Sequence, residues 1–132
     1  MMLKERAENY YNEGNYNCAE TVIRAANDEY QLGLDDTAMK LAGGFGGGMG
    51  CGKACGALCG GICAISAKLI EGKAHETKEL RGTTTKLVAE FNRILGDTEC
   101  KTLTVKYKKP DVRCLDTVLL ACEALENVMK TL

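Results

Sequence analysis

Apolar residues recur at intervals of three and four along nearly the whole of this 132-residue chain. That spacing is typical of α-helices, and only one proline is present to interrupt it. β-Branched runs are short, so extended sheets are not favoured. The chain is therefore predicted to be all-α, as a compact bundle of five or six helices. The predicted helices cover 3–12, 17–30, a short segment ending at Gly43, 52–71, 76–95 and a last helix opened by Pro110 and Asp111.

Aspartates and glycines mark several of the predicted helix ends. Asp35 or Asp36 is expected to cap the third helix, and Gly72 and Gly96 are expected to end the helices that precede them. Asp97 is expected to cap a short turn. The segment TLTVKY, 102–107, is the one stretch with strand character, and no second strand is predicted to pair with it.

The composition is that of a single globular domain, 1–132, with 45% apolar and 27% charged residues. The net charge is −1 and no basic run forms a phosphate-binding stripe, which argues against nucleic-acid binding. The longest apolar segment, around 54–70, is too short to span a bilayer, so no membrane insertion is expected. The polar N-terminus has no signal-peptide core, and we predict a cytoplasmic protein.

Cysteine is the unusual component, with eight residues in the chain. A reducing compartment argues against four structural disulfides. It favours metal ligation, an iron–sulfur cluster or thiols that take part in a reaction. The chain has no C-x-x-C pair and neither of the common ferredoxin spacings, so any site must collect cysteines from separate segments. The one histidine, His75, lies in a charged segment and is predicted to be a surface residue.

The stretch GGFGGGMGCGKACGALCGGICAI, 43–65, holds ten glycines and four cysteines. Gly47, Gly52 and Lys53 satisfy most of a phosphate-binding loop motif, but Ala54 replaces the hydroxyl residue that would hold Mg²⁺. The preceding residues are predicted to be helical, whereas such a loop follows a strand. Nucleotide binding is therefore not favoured.

Four cysteines follow one another at every fourth position of this stretch, at Cys51, Cys55, Cys59 and Cys63. Residues four apart on a helix have Cβ atoms about 5–6 Å apart, too far for a disulfide without breaking the helix. Each step of four also rotates about 40° around the axis, so the four thiols cannot all meet one ligand. For Cys59, Cys63 and Cys122 we predict a packing role, as small residues beside a neighbouring helix.

Other cysteines are predicted to lie at helix starts. Cys18, Cys100 and Cys114 each follow an asparagine or aspartate that can begin a helix or turn, and Cys51 and Cys55 fall in about the first turn of the glycine-led helix. Unpaired N–H groups and the helix dipole favour a thiolate at such positions. Thiolates are the form that metal binding and redox exchange require.

The sequence resembles a family of redox-active proteins named for its cysteine pattern, C_GCAxxG_C_C. The resemblance covers about residues 5–128. It rests on Cys18 in NCAE, the glycine loop over 44–50, the CGAxxG signature from Cys55 to Gly60, Cys100 in ECKTL and Cys114 in RCLDTV.

The resemblance implies a redox function, with an iron–sulfur or other prosthetic group, and functional thiols at Cys18, Cys55, Cys100 and Cys114. These four would be metal ligands or, without a metal, the redox thiols. The additional cysteines leave the ligand set open, because Cys51 or Cys59 can join the site or replace a member. The glycine loop would bring backbone N–H groups to the cofactor, through Gly46, Gly47, Gly48 and Gly50.

Three hypotheses follow for the function. The first is an electron carrier or oxidoreductase in which the four thiols hold a [2Fe–2S] or [4Fe–4S] cluster. The second is thiol–disulfide exchange without a metal. The third is a Cys₄ zinc site or a helical interaction module whose cysteines only pack. The partner would be an unidentified redox protein, and a glycine-faced helix could also pair two copies of the chain.

Overall fold

The computed structural model describes residues 2–132, which contain seven α-helices and no strand. The all-α prediction is confirmed. The helices are α1 (Leu3–Asn12), α2 (Cys18–Tyr30), α3 (Asp36–Met39), α4 (Gly56–Leu69), α5 (Leu80–Leu95), α6 (Cys100–Tyr107) and α7 (Leu115–Met129). Short 3₁₀ turns cover Lys40–Phe45 and Ala74–Glu76. None of the helices in the described range is long and apolar enough to cross a membrane.

The central helix is α4, which packs against α2, α5 and α7. Glycines allow the close approach of α2, because a Cβ on Gly60 would lie 2.6 Å from the Ala19 carbonyl oxygen. The largest fully buried side chains include Ile65 on α4, Phe91 on α5 and Leu125 on α7. Small residues therefore serve close packing on one side of α4, and large apolar side chains fill the space on the other.

The strand prediction for 102–107 is wrong, because this segment lies in α6. Leu103 is buried against the core. Lys106 Nζ and Tyr107 Oη both donate hydrogen bonds to the Leu95 carbonyl oxygen, at 3.0 and 3.1 Å. These contacts with the end of α5 override the strand preference of the β-branched residues. This additional helix is the reason that the count exceeds six.

Several predicted helix starts are also wrong, for a backbone reason. α4 begins at Gly56 rather than Gly52, because Gly50 and Gly52 have φ of +73° and +75°, outside the right-handed helical region. α7 begins at Leu115 rather than at Pro110 or Asp111, because Arg113 has φ of +54°. α5 begins at Leu80 rather than residue 76, after a 3₁₀ turn.

Two other helix ends fall where the local signals indicate, and a third does not. Asp35 caps α3 by accepting a hydrogen bond from the Ala38 N–H at 2.8 Å. Gly96, with φ of +92°, ends α5. α4 ends at Leu69, three residues before the predicted Gly72. The glycine segment 46–55 follows the 3₁₀ turn, not the strand that a phosphate-binding loop requires.

Candidate functional site

Four thiols, from four separate parts of the chain, border one cavity of about 230 Å³. Cys18 and Cys100 are the first residues of α2 and α6. Cys55 and Cys114 occupy the capping positions directly before α4 and α7. The structure thus brings together the four cysteines that the family resemblance singles out, each at the start of a different helix.

Two crossed backbone hydrogen bonds join the starts of α4 and α6. The Cys55 N–H donates to the Thr98 carbonyl oxygen at 2.8 Å, and the Cys100 N–H donates to the Lys53 carbonyl oxygen at 2.6 Å. Both thiols therefore sit on backbone that is fixed by the opposite segment. This pairing sets the position of Cys55 relative to Cys100.

Asn17 fixes the start of α2, where Cys18 lies. Its Oδ1 accepts a hydrogen bond from the Glu20 N–H at 3.0 Å, which caps the helix. Its Nδ2 donates to the Gly43 carbonyl oxygen at 2.9 Å. One side chain therefore holds Cys18 in place against the 3₁₀ turn before the glycine segment.

Tyr11 on α1 supports the fourth thiol. Its hydroxyl oxygen accepts a hydrogen bond from the Cys114 N–H at 3.1 Å, and the side chain is only 5% exposed. The Arg113 guanidinium stacks 4.6 Å from the centre of the Tyr11 ring. The loop that carries Cys114 is therefore attached to α1.

Two glycines make room for the thiols themselves. A Cβ on Gly56 would lie 2.6 Å from the Cys18 sulfur and 2.7 Å from the Phe45 carbonyl oxygen. A Cβ on Gly48 would overlap the Cβ of Cys100. The glycine of the CGAxxG signature that follows Cys55 is thus required by the close approach of Cys18.

The glycines predicted to hold a cofactor take different positions. Gly47 borders the cavity, and its N–H hydrogen bond lowers the pKa of Cys18 against the larger effect of burial. Gly46 lies so close to Asn17 that a Cβ would overlap that side chain. A Cβ on Gly50 would meet no described atom within 4 Å. Of these, Gly47 is the one whose backbone reaches a cavity thiol.

Burial dominates the electrostatics of three cavity thiols, those of Cys18, Cys55 and Cys114. It raises the pKa of Cys55 to about 12, although hydrogen bonds from the Leu58 and Ala57 N–H groups oppose it. Burial also raises the pKa of Cys18 and of Cys114. In all three, burial outweighs the groups that favour a thiolate, so the thiols of Cys18, Cys55 and Cys114 are held in their neutral form.

Several polar residues of the cavity were missed by the sequence analysis. Lys108 and Arg113 border it, and their charges lower the pKa of Cys114 against the larger effect of burial. Thr104 also borders it, and its Oγ1 lies 3.6 Å from the Cys100 sulfur. A signal was present in the sequence, because Lys108 and Arg113 belong to the basic run directly before Cys114.

The remaining cysteines do not border the cavity. Cys51 is exposed in the glycine segment, with its sulfur 3.8 Å from the Gly48 carbonyl oxygen. Cys59 and Cys63 are half-buried on α4, and Cys122 is buried in the core. Since α4 starts at Gly56, Cys51 lies outside it, and the four cysteines spaced at every fourth position do not lie on one helix as predicted.

The cavity thiols surround a volume and do not converge on a point. Within residues 2–132, no group of three or more histidine, cysteine, aspartate or glutamate side chains is arranged to hold a metal ion. All eight cysteines are free thiols. His75 is exposed at the surface, as predicted.

The Tyr11 hydroxyl provides a test of how Cys114 is held. We expect Tyr11→Phe to lower the free energy of unfolding by about 1 kcal/mol, because the Cys114 N–H loses its acceptor. The Cys114 thiol should also be alkylated faster. Tyr30→Phe is the matched control, since that hydroxyl makes no hydrogen bond within residues 2–132. Urea unfolding and timed alkylation measure both effects, and equal results for the two variants would contradict the assignment.

The buried thiols predict a pH dependence of stability for the reduced, metal-free protein. Burial raises the pKa of Cys55 and Cys122 from 9.0 to about 12. Between these values the unfolded chain releases thiol protons that the folded chain keeps, so the free energy of unfolding should fall as pH rises from about 9 toward about 12. Urea unfolding over this range measures the slope. The free energy of unfolding of the Cys122→Ala variant should decline less steeply with pH. A slope identical to that of the parent protein would argue against this cause.

Comparison with known proteins agrees with this arrangement of thiols. The family model described as "Putative redox-active protein (C_GCAxxG_C_C)" matches residues 16–128. No curated protein and no solved structure matches the chain. The matched range contains all four cysteines of the cavity. The chain therefore belongs to this family, which is named for the cysteine pattern C_GCAxxG_C_C.

Proposed function

We propose that this chain is an electron-transfer protein whose cavity thiols hold an iron–sulfur cluster. The observation that carries the proposal is that Cys18, Cys55, Cys100 and Cys114 border one cavity although they come from four distant segments. Four cysteine thiolates are the usual ligand set of [2Fe–2S] and [4Fe–4S] clusters. When bound, such a cluster supplies one-electron transfer at a potential set by its surroundings.

The protonation of the thiols favours a bound metal group over thiol–disulfide exchange. Exchange needs a thiolate as the attacking group. Burial raises the pKa of Cys18, Cys55 and Cys114, so few thiolates are available at neutral pH. Metal binding deprotonates a thiol outright, and the N–H groups of Gly47, Ala57 and Leu58 are then in place to stabilise the sulfur charge.

The cavity that the four thiols share favours a cluster over a single ion. A Cys₄ zinc site needs all its sulfurs at about 2.3 Å from one point, and no such group of ligands is found in residues 2–132. In a cluster the four cysteines would be divided between two iron atoms or among four, and so would surround a larger volume. The cavity of about 230 Å³ between the four thiols suits that arrangement.

The other cavity residues suit the same role. Lys108 and Arg113 bring positive charge to a site that would hold four thiolates. Tyr11 and Leu103 are buried and limit access of water, which affects the potential of a cluster. A reducing environment would keep the thiols available as ligands.

Anaerobic reconstitution tests this function. The reduced protein would be incubated with ferrous iron and sulfide, freed of excess reagent and examined by visible spectroscopy and electron paramagnetic resonance. We expect a coloured protein with bound iron and sulfide and a spectrum that changes reversibly on reduction. A colourless product would overturn the proposal. Equimolar zinc binding would then support the zinc site, and alkylation that differs between oxidised and reduced protein would support thiol–disulfide exchange.

A further inference from the structure

Positive charge is concentrated on the elements around the thiol cavity. We define the basic face as residues 40–55 and 100–114, which include the Lys40–Phe45 turn, the glycine segment and α6. It contains seven lysines and arginines and a single acidic residue, Asp111. The rest of the chain contains ten basic and seventeen acidic residues. Although the net charge of the chain is −1, the basic face is therefore strongly positive and the remainder of the protein is negative.

Most of these charges are not neutralised within the molecule. Lys40, Lys53, Lys101 and Lys108 make no ion pair within residues 2–132. Lys109 is the exception, with its Nζ 2.8 Å from the Asp116 carboxylate. The elements that carry the charges are contiguous, because the Lys40–Phe45 turn contacts residues Gly48–Gly52 of the glycine segment, and these residues contact α6.

The same elements carry exposed apolar side chains. Leu41, Met49 and Val105 are 79%, 52% and 89% exposed. The other large apolar residues with comparable exposure, Met2 and Leu132, lie at the chain ends. Met49 has a φ of +62°, an unfavourable backbone conformation for a non-glycine residue, and its side chain remains at the surface. Exposed apolar side chains on a polar surface are a feature of sites that bind another protein.

We infer that the basic face is the docking surface for an acidic electron-transfer protein. This inference rests on the proposed function, because the face includes several residues that border the cavity proposed to hold the cluster, among them Lys108 and Arg113. Redox partners form small, short-lived interfaces that rely on complementary charge for rapid association. Nucleic acid is a less suitable ligand, since the two aromatic residues of the face, Phe45 and Tyr107, are half-buried and not exposed for base stacking.

Binding of an acidic plant-type [2Fe–2S] ferredoxin, measured by calorimetry, tests this surface. We expect binding at low ionic strength that weakens strongly as salt rises from about 0.01 M to about 1 M, because the Debye length falls from about 30 Å to about 3 Å. A basic cytochrome c should not bind. The double variant Lys53→Glu with Lys101→Glu should raise the Kd about tenfold or more. Lys73→Glu with Lys78→Glu, exposed on a distant segment, is the control and should change the Kd little.

Iron and sulfide content, measured on the same samples, separates this inference from the proposed function. Loss of ferredoxin binding in the double variant with iron retained would support the docking surface. Equal affinity of both double variants would overturn it. Binding of RNA or of vesicles containing phosphatidylglycerol, without ferredoxin binding, would also overturn it. Ferredoxin binding by a protein that takes up no iron or sulfide on reconstitution would leave the surface intact and overturn the proposed cluster.

Discussion

Cys55→Ser is expected to lower the iron affinity of the reconstituted protein by more than about 100-fold, the upper range for loss of an outer-shell partner. Cys55 is buried at the start of α4, borders the cavity and has its N–H fixed by Thr98. A serine hydroxyl is a far poorer ligand for iron than a thiolate. Serine at Cys18, Cys100 or Cys114 should have a similar effect.

Cys63→Ser is the matched control for this series. Cys63 lies on the same helix, two turns after Cys55, and is half-buried away from the cavity. This variant should retain iron, sulfide and the visible spectrum of the parent protein. Circular dichroism verifies that each variant remains helical. If the Cys63 variant lost as much iron as the Cys55 variant, or if neither lost any, the assignment of the ligands would be contradicted.

Gly60→Ala is expected to lower the free energy of unfolding by about 1–3 kcal/mol. The new Cβ would lie 2.6 Å from the Ala19 carbonyl oxygen and 3.2 Å from the Val22 Cβ. The first of these atoms is in the backbone of α2, and the second is attached directly to it. Neither can move without shifting the helix. Because α2 also carries Cys18, we expect the same substitution to weaken iron binding.

Gly82→Ala is the matched control for the close packing of α2 and α4. Gly82 lies in α5, and a Cβ there would meet no described atom within 4 Å. Alanine should therefore stabilise the protein by about 0.5–1 kcal/mol through its higher helix propensity. Urea unfolding measures both variants. If both substitutions raised the free energy of unfolding, α2 and α4 would not be in close contact.

The fold could be predicted where local signals agree with the final structure. α2 begins after Asn17, whose capping hydrogen bond is a local interaction, and α5 ends at Gly96 for a similar reason. Residues 102–107 could not be predicted, because the decisive contacts of Lys106 and Tyr107 are with Leu95, on another helix. The starts of α4 and α7 both depend on positive φ values in the residues before them. At Arg113, before α7, nothing in the sequence indicates a positive φ.

The site was only partly predictable for the same reason. Helix-start reasoning identifies Cys18, Cys100 and Cys114, and Cys55 is drawn into the same set by the family resemblance. Cys55 caps α4 because the left-handed backbone at Gly52 delays the start of the helix, and the helical spacing of the apolar residues does not indicate this delay. The support from Tyr11 comes from α1, 103 residues away in sequence from Cys114. Contacts over such separations have no local signal.

Iron and acid-labile sulfide analysis of protein purified anaerobically, without reconstitution, tests the central claim most directly. The account predicts a coloured protein in which iron and sulfide are present in equal amounts and disappear together in the Cys55→Ser variant, but not in Cys63→Ser. A colourless protein, free of iron and sulfide and with all four cavity thiols open to alkylation after unfolding, would contradict it.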